Sequence, residues 1–146
     1  MKTISKSLED TKQFATDLIN EISKKTFDGA VVLDMKGDLG AGKTTLVQMM
    51  GRKLGVTETM QSPTFVIMKS YTTTNSRFKT LVHIDAYRIE DIQEVKILRL
   101  EEVFADPTNL VCIEWAEKIK EVVPSDAVKV ECELLEGDEH RYELSV

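Results

Sequence analysis

The stretch "GDLGAGKTT", which runs from Gly37 to Thr45, decides how the rest of this 146-residue sequence is interpreted. It contains the pattern G-x-x-x-x-G-K-[ST] of a phosphate-binding loop, in which glycines let several backbone N–H groups face one phosphate chain. In such a loop Lys43 reaches the β- and γ-phosphates, and the Thr44 hydroxyl binds Mg²⁺. The stretch therefore predicts a site for a nucleoside triphosphate and a magnesium ion.

The segments on either side are those that such a loop requires. "GAVVLDM" (Gly29 to Met35) is typical of a buried strand, and apolar residues recur at helical spacing from Lys43 to Leu54, before Gly55 as a helix end. Another helix is predicted from the capping residue Ser7 to about Lys25. The loop is thus predicted to connect a strand to the start of a helix, where the helix dipole favours anions.

The middle of the chain predicts three more strands and one helix. "FVIMKSY" (Phe65 to Tyr71) and "TLVHIDAY" (Thr80 to Tyr87) indicate strands, and the polar "TTTNSRFK" between them favours a hairpin, its tip either solvated or partner-binding. "LVCIE" (Leu110 to Glu114) has the apolar character of a strand that is buried on both faces. The helix is predicted from about Ile92 to Phe104.

The last part of the chain predicts an amphipathic antiparallel hairpin. Apolar and charged residues alternate from Val128 to Leu134, and alternation resumes from Tyr142 to Val146 after the "EGDE" turn. Together these elements predict an α/β fold that forms a single P-loop ATPase domain over residues 1–146. Its sheet is expected to be mixed and mostly parallel, with flanking helices and the antiparallel hairpin at the C-terminal end.

Two acidic residues stand where predicted strands end. Asp85 closes "LVHID" and Glu114 closes "LVCIE". Because ligands of open α/β sheets bind outside the carboxyl ends of the strands, both acids are expected to face the phosphates. A triphosphate site needs such an acid at the metal ion or at the attacking water. The spacing alone does not decide which acid contacts the metal.

Composition narrows the possible functions. The net charge of -6 argues against a broad electrostatic grip on nucleic acid. Cys112 and Cys132 lack metal-ligand spacing and are predicted to be buried free thiols, as in a reducing compartment. No stretch approaches the roughly 20 apolar residues of a membrane span, and the first residues lack the apolar run of a secretory signal. A cytoplasmic protein without membrane contact is expected.

Four motifs occur together in a fixed order. "GDLGAGKTT" is followed by "SPTF" (Ser62 to Phe65), "HIDAYR" (His83 to Arg88) and "IEWAEK" (Ile113 to Lys118). This combination resembles the TsaE family, the small ATPases that act with partner proteins to make the threonylcarbamoyl modification of adenosine 37 in tRNA. The resemblance extends from about Leu8 to Arg141, which is nearly the whole chain.

The resemblance implies roles for particular residues. Lys43 and Asp85 would be catalytic, with Asp85 near the γ-phosphate or its water, and Trp115 would also be important for catalysis. Thr44 and Glu114 would hold Mg²⁺. The implied nucleotide-binding residues of the loop are Asp38, Leu39, Gly40, Ala41, Gly42, Lys43, Thr44 and Thr45.

Residues outside the loop are also implied. Ser62 to Thr64 would form a switch-like segment that senses the γ-phosphate, while Leu8, Thr11 and Arg141 would flank the nucleotide base. The sequence departs from the family pattern at Arg99, where a helix-ending glycine is common.

The expected function is Mg²⁺-dependent ATP hydrolysis, slow without partners, in a tRNA-modification complex. The resemblance implies partners of the TsaD and TsaB types, with tRNA contacted only indirectly. Two alternatives stay open: a nucleotide-dependent binding module with little catalysis, and a small-molecule kinase. A kinase usually needs an arginine-rich lid, and the five arginines of this chain are scattered. A GTPase would need the guanine-reading motif N-K-x-D, which is absent.

Overall fold

The computed structural model, which describes residues 1–145, is organised around one seven-stranded sheet. Its strands in chain order are β1 (Lys2–Ser5), β2 (Val31–Lys36), β3 (Met68–Thr72), β4 (Thr80–Asp85), β5 (Asn109–Glu114), β6 (Val128–Leu134) and β7 (His140–Ser145). In space the order is β1-β7-β6-β2-β5-β4-β3, which places β2 at the centre. Strands β2 and β5 are almost wholly buried because other parts of the chain cover both of their faces.

The sheet is mixed, as predicted, but it is not mostly parallel. Strand β2 pairs in parallel with β5 and β6, and β4 pairs in parallel with β5. The three outer pairings, β1–β7, β6–β7 and β3–β4, are antiparallel. Half of the pairings within residues 1–145 are therefore antiparallel, partly because β1 adds an edge strand that the sequence did not predict. This strand has only four residues and no regular alternation, and its partner β7 lies at the other end of the chain.

Helices cover one face of the sheet. Helix α1 (Leu8–Ser23) begins after Ser7, whose Oγ accepts a hydrogen bond from the Asp10 N–H at 3.2 Å. Helix α2 (Lys43–Leu54) lies between two glycines with left-handed backbone conformations, Gly42 (φ 96°) and Gly55 (φ 91°). Both helices pack on the side chains that β2 directs to that face. Helix α2 follows β2 in the chain, after the glycine-rich loop.

The opposite face carries shorter elements. The prediction of one continuous helix from Ile92 to Phe104 is wrong. The segment forms a 3₁₀ helix (Ile92–Leu98) and helix α3 (Leu100–Ala105), which are separated at Arg99. Arg99 has a φ of 51°, a left-handed conformation that ends the first segment where a glycine would be favoured. Another 3₁₀ helix (Ala116–Ile119) follows β5.

The strand predicted from Phe65 to Tyr71 begins only at Met68. Phe65 and Val66 are 80% and 61% exposed, and Ile67 has a φ of 69°, which is incompatible with an extended strand. The apolar character of these residues suggested burial, yet they lie in a turn that precedes β3.

The polar hairpin tip is anchored to α1. The Arg77 guanidinium donates hydrogen bonds to the carbonyls of Ile22 and Ser23, at the end of α1, and of Lys25, just beyond it. Phe78 beside it is fully buried. The tip is therefore not the freely solvated turn that its composition favoured.

Cys112 and Cys132 are buried and free, as predicted. Burial raises the pKa of both thiols, in Cys132 to about 12. Among residues 1–145, none of the helices has the length and apolar character needed to cross a membrane.

Candidate functional site

The glycine-rich loop (residues 37–42) connects β2 to α2 and borders a cavity of about 410 Å³. Its three glycines have positive φ values of 144°, 80° and 96°, which side chains with a Cβ rarely adopt. The loop therefore curls around the start of α2, where the first N–H groups of the helix lack partners within the helix. This is the geometry in which helix starts bind anions.

The cavity brings together most of the residues that the sequence singled out. Residues 39–45 line it, and so do side chains from the ends of β4 and β5. The predicted site residues that line the cavity are Leu39, Gly40, Ala41, Gly42, Lys43, Thr44, Thr45, Ser62, Thr64, Asp85, Glu114 and Trp115.

Four predicted residues lie elsewhere. Asp38 and Arg141 line a separate cavity of about 510 Å³ on the other side of the loop, where Arg141 forms an ion pair with Glu133. Leu8 and Thr11 line a smaller cavity of about 240 Å³, which shares only Thr45 and His140 with the central one. Arg141 therefore lines a different cavity from Leu8 and Thr11.

Lys43 and Trp115 contact each other inside the central cavity. The Lys43 side chain is buried with its residue only 5% exposed, and its ammonium donates a hydrogen bond to the Gly37 carbonyl. The same nitrogen lies 4.4 Å from the centre of the Trp115 ring, a cation–π geometry. The left-handed backbone of Trp115 (φ 61°) turns the chain sharply after β5. The ammonium is therefore held by neutral groups at the edge of the cavity.

Thr44 and Glu114 form the pair that could hold a metal ion. The Thr44 hydroxyl donates to Glu114 Oε2 at 3.1 Å, and His83 Nε2 lies 2.5 Å from the same oxygen. His83 is buried and bonded, as expected of a structural histidine, although it also orients a site carboxylate.

The chemistry of this pair fits Mg²⁺ better than an ion that needs a cage of protein ligands. Within the described residues, no three His, Cys, Asp or Glu side chains cluster closely enough to hold a metal. A hydroxyl and a carboxylate supply two hard oxygen ligands. Mg²⁺ is usually bound by one or two carboxylates together with water and phosphate oxygens, so this small donor set is sufficient.

Asp85 is buried beside this pair and accepts hydrogen bonds at both of its oxygens. Oδ1 accepts from the Tyr87 N–H at 2.9 Å, while Oδ2 accepts from the hydroxyls of Ser62 (3.3 Å) and Thr64 (3.1 Å). Its register partner in the parallel β4–β5 pair is Glu114. The expectation that both acids lie at the same edge of the sheet is met, and Asp85 also fixes the segment that contains Ser62 and Thr64.

Sequence reasoning missed two residues of β7 that contact the loop. His140 lines the central cavity and bonds to the Ala41 carbonyl, and the Tyr142 hydroxyl bonds to the Gly42 carbonyl. They approach the loop only because β7 folds back beside it, about 100 residues later in the chain. No local motif marks them, and alternation along β7 gave only the inward direction of Tyr142.

Comparisons with known proteins agree on one family. A sequence model described as "Threonylcarbamoyl adenosine biosynthesis protein TsaE" matches residues 5–142. The protein named tRNA threonylcarbamoyladenosine biosynthesis protein TsaE is 34% identical over 138 residues in Rickettsia bellii, covering 94% of this chain and 89% of that protein. The protein of that name in Bacillus subtilis is 40% identical over 99 residues, covering 68% of this chain and 59% of the relative.

A further relative and a solved structure extend these matches. The match to the Nostoc sp. protein of the same name is 47% identical over 94 residues, covering 62% of this chain and only 55% of that relative. The crystal structure of Bacillus subtilis YdiB is similar over 99% of this chain and 83% of its own, with a TM-score of 0.72 and 27% identity. The match thus spans little more than half of the Bacillus and Nostoc relatives, while the fold is shared over almost the whole chain.

Proposed function

Because this chain belongs to the TsaE family of tRNA threonylcarbamoyladenosine biosynthesis proteins, we propose that its central cavity binds ATP with Mg²⁺ and hydrolyses it. One observation carries the proposal. Lys43, Thr44, Asp85 and Glu114 line the same cavity, although they come from three separate places: the start of α2, the end of β4 and the end of β5. This is the set of charges and ligands that phosphoryl transfer needs.

Phosphate binding is assigned to the loop and to α2. The backbone N–H groups at the start of α2 and the positive end of that helix attract phosphate oxygens. Lys43 adds a full positive charge at the edge of the cavity, and its ammonium exchanges the Gly37 carbonyl for a phosphate oxygen. A charged partner replaces a neutral one, so this exchange favours the bound nucleotide.

Metal binding is assigned to Thr44 and Glu114. Mg²⁺ bound by these oxygens would neutralise the charge that develops on the phosphate oxygens during hydrolysis. His83 holds the Glu114 carboxylate in place by its 2.5 Å contact with Oε2. Such a partner of a ligand usually improves metal affinity because it fixes the ligand's orientation.

Asp85 is the group that orients the attacking water. It is a buried carboxylate in the cavity lining, and its Oδ1 accepts one hydrogen bond, from the Tyr87 N–H, so this oxygen has capacity for a hydrogen bond from water. The water oxygen forms a bond to the γ-phosphorus while the bond from that phosphorus to the β–γ bridging oxygen breaks. The products are ADP and inorganic phosphate, and the proton that the water loses passes to a phosphate oxygen.

The output of hydrolysis is proposed to reach partner proteins of the TsaD and TsaB types. The net charge of -6 favours contact with tRNA through such partners rather than directly. Buried free thiols at Cys112 and Cys132 fit a protein of the reducing cytoplasm. A small-molecule kinase is less well supported, because none of the five arginines lines the central cavity in residues 1–145.

The proposal is tested by ATP hydrolysis in a matched pair of variants. Lys43→Ala removes the charge in the cavity, and Lys53→Ala removes an exposed lysine near the end of the same helix. With Mg²⁺ present, single-turnover hydrolysis should fall about 100-fold or more in Lys43→Ala, because a preorganised charge at the reacting phosphate is lost. Lys53→Ala should match the wild type.

Two results would count against this assignment. Unchanged hydrolysis in Lys43→Ala would show that the glycine-rich loop and its lysine take no part in ATP hydrolysis. ATP binding by the wild type without single-turnover hydrolysis, with partners present, would favour the nucleotide-dependent binding module instead.

A further inference from the structure

The hairpin formed by β6 and β7 touches the back of the glycine-rich loop at both ends. A Cβ added at Gly37 would lie 2.3 Å from the Cys132 carbonyl oxygen. A Cβ added at Gly42 would lie 2.3 Å from the Tyr142 hydroxyl oxygen and 3.1 Å from His140 Nδ1. The loop is therefore in close contact with the hairpin, and the two glycines are required for that contact as well as for their positive φ values.

Two side chains of β7 bond directly to loop carbonyls. His140 Nδ1 lies 3.0 Å from the Ala41 oxygen. A carbonyl can only accept, so Nδ1 carries the hydrogen and donates it. The Tyr142 hydroxyl donates to the Gly42 oxygen at 3.3 Å, and the same oxygen accepts the Leu46 N–H of α2 at 3.0 Å. The Ala41 carbonyl is thus held from β7 by His140, whereas α2 and Tyr142 together hold the Gly42 carbonyl.

The orientation of a carbonyl fixes the orientation of the amide that shares its peptide unit. Each peptide is planar and trans, so its C=O and N–H point in opposite directions. When the Ala41 carbonyl points toward His140 on β7, the Gly42 N–H points away from β7. The Gly42 carbonyl points along α2 toward the Leu46 N–H, so the Lys43 N–H points out of the start of that helix. The alternative orientation would present partial negative charge where the proposed site needs donors for phosphate oxygens.

The donors on β7 are themselves fixed by packing. Tyr142 is fully buried, and its ring stacks on Phe14 of α1 with 5.3 Å between ring centres. The His140 ring lies 6.1 Å from the Tyr142 ring and nearly parallel to it. Burial raises the pKa of Tyr142 to about 12, so its hydroxyl keeps the proton that it donates.

We propose that His140, assisted by Tyr142, is a positioning residue that holds the peptides of Ala41 and Gly42 so that the loop amides are preorganised for phosphate. The inference rests on the proposed nucleotide site. Both residues act through the loop backbone, and they lower the cost of ordering the loop when phosphate binds.

The test compares ADP binding by His140→Ala and His140→Asn, measured by titration calorimetry with Mg²⁺. Asn can place an amide N–H near the position of Nδ1, whereas Ala removes the donor. The loss in His140→Ala should be about fivefold to tenfold in affinity, as for one buried hydrogen bond, and His140→Asn should recover most of it. Tyr142→Phe should lose only about twofold, because the Leu46 N–H still holds the Gly42 carbonyl. The control variant Glu143→Gln, which changes another side chain of the same strand, should bind ADP as the wild type does.

Stability and kinetics separate a positioning role from a merely structural one. The affected step is binding, so KM for ATP should rise in His140→Ala while kcat changes by less than about twofold. Wild-type ADP affinity in His140→Ala would overturn the inference. So would equal losses in His140→Ala and His140→Asn that follow a common fall in unfolding temperature. A wild-type protein that binds no ADP would instead overturn the proposed nucleotide site and this inference with it.

Discussion

The glycine-rich loop and the segment from Ser62 to Ile67 border the same cavity, but different contacts hold them in place. The loop is supported from behind by β6 and β7, through close backbone approach and two hydrogen bonds to its carbonyls. The segment lies opposite, and its polar side chains bond mainly to Asp85. One wall of the cavity, the first wall, is therefore fixed by the sheet, and the other, the second wall, depends on the Asp85 carboxylate.

The second wall also has exposed apolar side chains and one residue with a strained backbone. Phe65 and Val66 are largely exposed, and the Arg88 guanidinium lies 4.3 Å from the centre of the Phe65 ring. Ile67 is β-branched and has a φ of 69°, a strained conformation that costs about 1–3 kcal/mol. The difference between the walls leads to the expectation that the first wall determines nucleotide affinity, while the position of the second wall depends on its hydrogen bonds to Asp85.

The largest expected effect is on catalysis at the second wall. Asp85→Asn keeps the shape of the side chain but removes the charge that the proposed mechanism uses to orient water, so ATP hydrolysis should fall about 1000-fold. ADP affinity should change by less than about threefold, because Asp85 does not belong to the loop. Steady-state hydrolysis and calorimetry measure the two quantities, with Glu90→Gln as an exposed control. A parallel loss of ADP affinity would break the comparison between the walls.

The next effect is on binding at the first wall. Gly42→Ala forces a Cβ to within 2.3 Å of the Tyr142 hydroxyl and 3.1 Å of His140 Nδ1, at a φ of 96°. Strain of this kind should weaken ADP binding about 100-fold. Gly40→Ala is the matched control, because its φ is also positive but nothing lies within 4 Å of the added Cβ. If the two variants lost affinity equally, φ alone would explain the effect and the support from β7 would not matter.

The smallest effect concerns the hydrogen bonds that tie the second wall to Asp85. Thr64→Val keeps the volume but removes the hydroxyl that donates to Oδ2 at 3.1 Å, which is worth about 1 kcal/mol. Amide hydrogen exchange in residues 62–67 should become about fivefold faster. Exchange in the glycine-rich loop should not change, and Thr72→Val on β3 serves as an exposed control. Faster exchange in both walls would show that they are not held independently.

Much of the first wall could be predicted because the sequence patterns that specify it are local. The strand before the loop, the loop itself and the helix after it follow one another from Val31 to Leu54, each with its own pattern. The shared location of Asp85 and Glu114 could also be predicted, since parallel strands align their carboxyl ends. These features need only short-range patterns and one rule about sheets.

What could not be predicted depends on contacts between distant parts of the chain. His140 reaches Ala41 through strand pairing and packing, 99 residues along the chain. Phe65 and Val66 have the composition of a strand, but the tertiary structure places them in an exposed turn. The break at Arg99 arises from a left-handed conformation that its residue type does not favour.

The most direct test of ATP binding in this cavity uses Trp115, the single tryptophan of the chain. Its ring centre lies 4.4 Å from the Lys43 ammonium, which the proposed phosphate contact would draw away. Titration of the wild type with ATP and Mg²⁺ should therefore give a saturable change in tryptophan fluorescence, with one site per chain. Adenosine should cause no such change, and Lys43→Ala should lose most of it. No fluorescence change with ATP and Mg²⁺, together with no binding heat in the same sample, would contradict the proposed site.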